Sequence, residues 1–445
     1  MAEEKKDKAV LRKKRKQQRN LLIALLIILV ICLGVLIGLL IWKTVGTSKE
    51  KGPTTQVSSN SIQPSTQSQT ETEPEFQEFD IKLMAIGDSL MHMGVVNSGV
   101  QEDGSRNYDY FFDGIKDFLK IADMKVINQE TIFGGNDKGF SGYPEFNSPT
   151  EMGDSIAKAG FNIVLHASNH SNDKGLEGLL NCINYWETTH PDVTVLGIHS
   201  KKEDLNKIRT MEINGVTFAL LNYTYSTNSD IVPADTSEYL NMLCAYDEEY
   251  RLDMDTLNAQ VLEDIKAAEQ IADFVIVFPH WGLEYHLEET GVQQRMAKEM
   301  TEAGADLIIG THPHVIEPVK WVEADNGNKA LCYYSLGNYV STQKRADTML
   351  EGMAWVTLHV TEDGVSIDEK NTGALPLVNH YTSNPTTIRN IYLLEDYTQE
   401  LADQHGITPN TNGEVKLSIE EFNKWSQDCF GDFLLTRDKI LNHVQ

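Results

Sequence analysis

The sequence predicts an α/β fold held behind a membrane anchor, on three observations. From Phe79 onward, short continuous apolar runs alternate with helical stretches, the pattern of strands buried on both faces by flanking helices. The residues from Leu21 to Trp42 carry no charge. Between these two regions lies a polar segment too poor in apolar residues to fold by itself.

Residues 1–20 hold nine Lys or Arg against three acids and read as a basic cytoplasmic tail. At about 1.5 Å rise per residue, a helix over residues 21–42 spans the roughly 30 Å hydrocarbon core. The basic LRKKRKQQR before it and Trp42 at its far edge predict a single-pass protein, with a cytoplasmic N-terminus and an extracytoplasmic body. A cleaved signal peptide fits less well, because its apolar region is usually only about 7–15 residues and ends at a small-residue cleavage site. The lipid bilayer is therefore the first expected partner, and Gly34 with Gly38 forms a GxxxG through which two copies could pair as a homodimer. Residues 43–78, rich in Ser, Thr, Gln, Glu and Pro, read as a disordered linker, which would typically hold the body about 30 Å from the membrane. Net charge is −27 despite the basic start, so the body is acidic, repels phosphates over most of its surface and predicts no nucleic-acid partner. Cys182, Cys244, Cys332 and Cys429 lie far apart without a CxxC, and Cys32 sits in the apolar run. That spacing indicates neither a zinc knuckle nor a disulfide framework, and most of these thiols are expected as small buried side chains, with one disulfide left open.

Within the body, strands are expected at IKLMAIGD (81–88), KVIN (125–128), FNIVLHA (161–167), VTVLG (193–197) and VTFALLNYT (216–224). Further strands are expected at DFVIVFPH (273–280), ADLIIG (305–310), KALCYYSLGN (329–338) and MAWVTLHVT (353–361). Helices are expected at 114–124, 150–160, 174–189, 257–272 and 292–304, with a polar, irregular insertion from 225 to about 250. Residues 377–445 read as an accessory segment of short helices with few strands.

Ligands of α/β sheets sit beyond the carboxyl ends of strands. Here one strand end is followed by Asp88 and His92, the next by Glu130, the third by Asn169, His170 and Asp173. The strand at 273–280 ends on His280, with Glu284 after it, and 305–310 is followed by His312 and His314. Pro313 between those two histidines has no N–H for a ladder and marks a loop. Each residue alone has an ordinary reading: a turn cap for Asp88, a solvated loop acid for Glu130, a hydrogen-bonded histidine for His280 or His312. Five strand ends that all carry Asp, Glu, Asn or His make a shared site the better account. Carboxylate, imidazole and amide oxygen suit Mn, Fe or Zn. The donors outnumber one four-ligand site, so two divalent ions are expected, able to polarise a phosphoryl or carbonyl group and to activate water.

In order, IGDSL, NQET, SNHSNDKG, HWGLEY, GTHPHVIEPV and YSLGNYV resemble the CapA family of capsule-biosynthesis proteins, also called PgsA-like poly-γ-glutamate synthesis proteins. That family is similar to the calcineurin-like metallophosphoesterases. The resemblance covers residues 79–376 and implies a four-layer α/β/β/α sandwich. It implies Asp88 and His314 on a first metal, Glu130 as the bridge, and Asn169, His280 and His312 on a second. His170, held by Asp173, would then stand unligated near the substrate and act as general acid or as a hydrogen-bond donor to the transition state. Glu130 stands where phosphoesterases have an Asp, and Leu90 where they have a His that His92 could replace. Glu284 and Asn338 match the family's motifs without a derived role, as possible pocket residues. Trp281, Tyr285, Tyr334 and Tyr339 flank the motifs and fit a core as well as a pocket wall.

The functional expectation is an anchored hydrolase or transferase that acts on a phosphoester or an amide of an anionic, capsule-like polymer beside the membrane subunits of a capsule synthase. An exported phosphatase or nucleotidase uses the same residues. A noncatalytic scaffold of a synthase complex is the reading from a different class.

Overall fold

A computed structural model of the chain describes residues 76–442. The tail expected at 1–20, the membrane helix expected at 21–42 and almost all of the linker expected at 43–78 lie outside them. Among the described residues, no helix is long and apolar enough to cross a membrane.

The strands are β1 (Phe79–Asp88), β2 (Met124–Asn128), β3 (Ile163–Leu165), β4 (Thr194–Leu196), β5 (Arg209–Ile213), β6 (Val216–Thr224), β7 (Cys244–Tyr246) and β8 (Leu252–Leu257). They continue with β9 (Phe274–His280), β10 (Leu307–Ile309), β11 (Val319–Glu323), β12 (Lys329–Tyr333), β13 (Leu350–Thr361), β14 (Gly364–Ile367), β15 (Gly373–Thr382) and β16 (Thr387–Leu393). Two mixed sheets carry the fold. One runs β16-β15-β13-β1-β2-β3-β4, and the other β11-β12-β10-β9-β6-β5. In the second, a parallel centre is flanked by antiparallel strands on both sides; in the first, the parallel run β1-β2-β3-β4 reaches one edge and the antiparallel β13-β15-β16 forms the other side.

The parallel strands require crossovers, which helices supply. In the first sheet these include α1 (Thr150–Ala159) and α2 (Gly175–Thr189), and in the second α3 (Ala259–Ile271) and α4 (Gly291–Ala303). Helix α4 opens with a capping box in which Thr290 and Gln293 satisfy each other's backbone N–H. Alternate residues of the second sheet, among them Ala219, Leu221, Val275, Val277 and Ile308, pack with Val261 and Ile265 of α3 and Met296 and Met300 of α4. The intervening residues Phe218, Leu220, Ile276, Phe278 and Leu307 are buried as well. On that other face the Tyr333 hydroxyl donates to the Gly373 carbonyl of the first sheet at 3.0 Å. Two-sided burial explains why these strands read as continuous apolar runs.

Three expectations need correction. The region beyond 376 carries the expected short helices, among them Ile419–Phe430, but its first part is sheet: β15 continues through it to Thr382 and β16 forms the edge of the first sheet. β16 buries Ile388, Ile391 and Leu393 and leaves Arg389 exposed, as an edge strand with one solvated face does. The strand expected over 329–338 stops at Tyr333, because YSLGN folds as a loop around Gly337 at φ +78°. The helix expected over 114–124 is a 3₁₀ turn to Ile115 followed by Lys116–Ile121. Cys182, Cys244, Cys332 and Cys429 are buried free thiols.

Candidate metal centre

The carboxyl ends of the central parallel strands converge. Register places Asp88 beside Asn128, and Glu130 lies two residues beyond. In the other sheet Thr224 is registered with His280, and His280 bridges to Thr311. The Asp88 N–H donates to the Gly337 carbonyl at 2.9 Å, joining the two sheet tips. A Cβ on Gly87 would lie 1.9 Å from that carbonyl oxygen, and one on Gly310 would lie 2.0 Å from the Tyr334 oxygen. Only glycine permits either approach. His312 and His314 both have positive φ, +104° and +60°, so the loop around Pro313 turns both rings out of the strand line at a cost in strain.

Ligand-type atoms of Glu130, His280 and His312 all lie within 4.8 Å of one another, and so do those of Asp88, Glu130 and His314. Glu130 belongs to both groups, and all five residues are buried. Neither Glu130 oxygen has a hydrogen-bond partner. Burial raises its carboxyl far above the usual range, while the positive charge of His314 opposes the rise. Burial and the neighbouring imidazoles push His280 and His312 down, so both rings stay neutral. His314 goes the other way: burial alone would lower it, but Glu130, Asp88 and Glu284 outweigh burial and hold it at about 9. Its Nδ1 faces Asn338 Oδ1 at 3.0 Å, Asp88 Oδ2 at 3.2 Å and Glu130 Oε2 at 3.8 Å. One proton cannot serve Asn338 and Asp88 equally well, and Glu130 lies beyond hydrogen-bond reach.

Asn169 is 1% exposed, and its Oδ1 lies 2.8 Å from His280 Nε2. His280 Nδ1 is 2.9 Å from the Thr311 hydroxyl, an outer contact that orients the ring. Beside Asn169, His170 Nδ1 is 2.7 Å from Asp173 Oδ2, and the same carboxylate oxygen accepts the Phe146 N–H at 2.7 Å. Asp88 Oδ1 accepts from Asn128 Nδ2 at 2.8 Å.

The donor set fits divalent cations. Two ligands on one ion with bonds of about 2.0–2.1 Å at a right angle sit about 3 Å apart, close to the Asn169–His280 and Asp88–His314 separations. A buried carboxylate with no proton donor on either oxygen is otherwise costly.

The remaining sequence candidates divide. His92, considered as a replacement for the family's missing histidine, belongs to neither donor group; it packs edge-on against Phe146 at 5.4 Å. The reason is local: His92 is the residue before the helix Met93–Ser98, past the strand tip that aims Asp88. Burial, together with its charge interactions with His314 and His170, lowers it to about 4. Glu284 also stands outside both groups but acts on them through its charge. Asn338 holds His314 and donates onward to Gln343 at 2.8 Å. Trp281, Tyr334 and Tyr339 are core, whereas the half-buried Tyr285 ring lies 5.9 Å from His314, under the Arg345 guanidinium.

Sequence reasoning passed over Tyr225, whose ring is 4.5 Å from His312, and Asn228, which accepts from Asn169 Nδ2 at 2.9 Å. Both come from the segment expected to be irregular. The usable signal was register: Tyr225 directly follows the residue paired with His280.

With this geometry in place, comparison with known proteins is decisive on one point. Residues 82–343, more than half of the chain, match the family "Bacterial capsule synthesis protein PGA_cap". The chain belongs to that family. Similar members are the PGA biosynthesis protein CapA of Bacillus subtilis (strain 168), 28% identical over 258 residues, covering 55% of this chain and 60% of that protein, and the capsule biosynthesis protein CapA of Bacillus anthracis, 28% identical over 263 residues, covering 58% and 60%. The chain thus spans about 60% of the length of these relatives. A solved Staphylococcus aureus protein assigned as a 5'-nucleotidase is 15% identical, with a TM-score of 0.43 and coverage of 65% of this chain and 53% of that one. All the residues of the two donor groups, together with Asn169, His170 and Asp173, fall inside the PGA_cap match.

Proposed function

We propose that this PGA_cap protein is a dinuclear metal-dependent hydrolase or transferase, anchored in the membrane and acting outside the cytoplasm on a phosphoester or amide of a capsule-type polymer such as poly-γ-glutamate. The observation that carries the reading is Glu130, a buried carboxylate with two unpartnered oxygens, shared by two groups of ligand-type side chains. The names of the Bacillus relatives support the polymer. The apolar residues 21–42 support the anchor. Two stacked sheets with helices outside them suit a four-layer sandwich of the metallophosphoesterase type.

Asp88, Glu130 and His314 would hold one cation, and Glu130, Asn169, His280 and His312 the other. Bound there, divalent cations supply Lewis acidity to a phosphoryl or carbonyl oxygen and lower the pKa of water. Asp173 accepts the Nδ1–H of His170 and orients the ring, so that in its doubly protonated form the Nε2–H is the proton delivered to the leaving group. Tyr225, Tyr285 and Phe146 wall the site and limit water. The His170–Asp173 pair favours an enzyme over a scaffold, since it stands outside both donor groups and a purely structural site has no use for it.

The test is metal content together with turnover on a panel of phosphomonoesters, phosphodiesters and γ-glutamyl amides. Two transition-metal ions per chain and activity lost in His170→Ala with metals retained support the proposal. Less than one ion per chain refutes it.

A further inference from the structure

We propose that Asn228, on the loop after β6, is a positioning residue that orients the Asn169 amide so that its oxygen, not its NH₂, faces the second cation. The inference rests on the dinuclear reading above and adds a residue that reading does not use.

An amide ligand has a chemical problem that a carboxylate lacks. Its oxygen and its NH₂ are nearly the same size, and only the oxygen can bind a cation. Something must therefore distinguish the two ends. Asn228 Oδ1 lies 2.9 Å from Asn169 Nδ2. A carbonyl oxygen can only accept, so that contact admits the NH₂ of Asn169 and rejects its oxygen. With the NH₂ held there, Asn169 Oδ1 points to His280 Nε2, 2.8 Å away. If the amide of Asn169 flipped, two oxygens would meet at one end and an N–H would face the cation at the other.

The backbone shows that Asn228 is placed for this purpose. Its φ is +57°, a left-handed conformation in which asparagine is among the few well-tolerated side chains. Its N–H donates to the Ser226 hydroxyl at 3.2 Å, and the Ser226 carbonyl accepts from the Thr224 hydroxyl at 3.0 Å. Thr224 is the residue registered with His280. The loop is thus tied to the same strand pair that delivers His280, so Asn228 and the site it serves share one frame. Although Asn228 is itself exposed, its side chain reaches Asn169 and His170, both at least 95% buried. Asp173 takes the His170 Nδ1 proton at 2.7 Å, so the Asn228 NH₂, 3.3 Å from that nitrogen, packs against the ring and is not its hydrogen-bond partner.

The experiment is Mn²⁺ titration of the full-length protein in detergent by calorimetry, comparing wild type, Asn228→Gly, Asn228→Asp and Asn169→Ala. Glycine removes the amide while suiting φ +57°, so a fall in affinity is not a folding artefact. Aspartate retains an accepting oxygen. Outer contacts of this kind are worth about 10–100-fold in metal affinity, and that is the loss expected at one of the two sites in N228G. N228D should stay near wild type, and adding N228G to N169A should weaken binding no further. Wild-type affinity at both sites in N228G, or equal loss in N228D and N228G, overturns the inference. A wild type that binds two Mn²⁺ ions while N228G matches it refutes Asn228 alone, whereas a wild type that binds none refutes the dinuclear reading together with it.

Discussion

Replacing Glu130 by Gln should bring no gain in the metal-free protein and should abolish most of the stability that metal adds. Without cations, Glu130 is 1% exposed with both oxygens unpartnered, and a buried polar group left in that state costs about 1–3 kcal/mol, more if charged. Glutamine has the same shape, but its amide is left equally unpartnered and the charge that helps hold His314 protonated is gone, so E130Q should gain nothing over wild type in EDTA. With cations the two diverge. At free metal near 100 times Kd, each site adds about 2.7 kcal/mol, so two sites add about 5 kcal/mol to wild type. At the roughly 1–2 °C per kcal/mol expected for a domain larger than 250 residues, that is a rise in Tm of about 5–10 °C. E130Q, lacking the carboxylate common to both groups, should show almost none of it. Differential scanning fluorimetry in EDTA and in Mn²⁺ reads both halves. The reasoning fails if E130Q melts well above wild type in EDTA, or if both gain equally from Mn²⁺.

Removing the His170 imidazole as His170→Ala should leave metal content unchanged and lower turnover by about 10²–10⁴, the usual contribution of a general acid; equal loss of metal and activity would contradict the role. Glu351 is buried and accepts the Gly87 N–H at 2.7 Å, so Glu351→Leu, which strands that donor, should cost about 1–3 kcal/mol in urea denaturation, and Glu351→Gln much less. His166 and His405 are pushed down to about 3 by burial; because the unfolded chain takes up these protons near 6.5, stability should decline as pH falls from 6.5 toward 3. Imidazole ¹⁵N shifts that show either ring titrating near 6.5 in the folded protein would refute this. Cys182, Cys244, Cys332 and Cys429 should resist maleimide in the native protein and react after unfolding without reductant, and a protected pair would reveal a disulfide.

The core strands were legible because burial on both faces leaves an uninterrupted apolar signature. VTFALLNYT is the strand Val216–Thr224 residue for residue, and α1 and α2 begin within one residue of expectation. Edge strands were harder. RTMEI (Arg209–Ile213) and VKWVE (Val319–Glu323) are half exposed, and their mixed composition resembles that of a loop. The site showed itself through residue type at strand ends, since Asp88, Glu130, His280, His312 and His314 each follow an apolar run. Asn128, Thr311 and Asn228 act only through a partner brought close by register, and composition says nothing of register. His92 marks the limit of spacing arguments: four residues past Asp88, it falls beyond the turn that ends β1.

Anomalous diffraction from crystals grown with Mn²⁺ tests the central claim most directly. The account predicts two peaks about 3.5–4 Å apart on either side of the Glu130 carboxylate, one against Asp88 and His314, the other against Asn169, His280 and His312. A single peak that does not touch Glu130, or no peak at saturating metal, would contradict it.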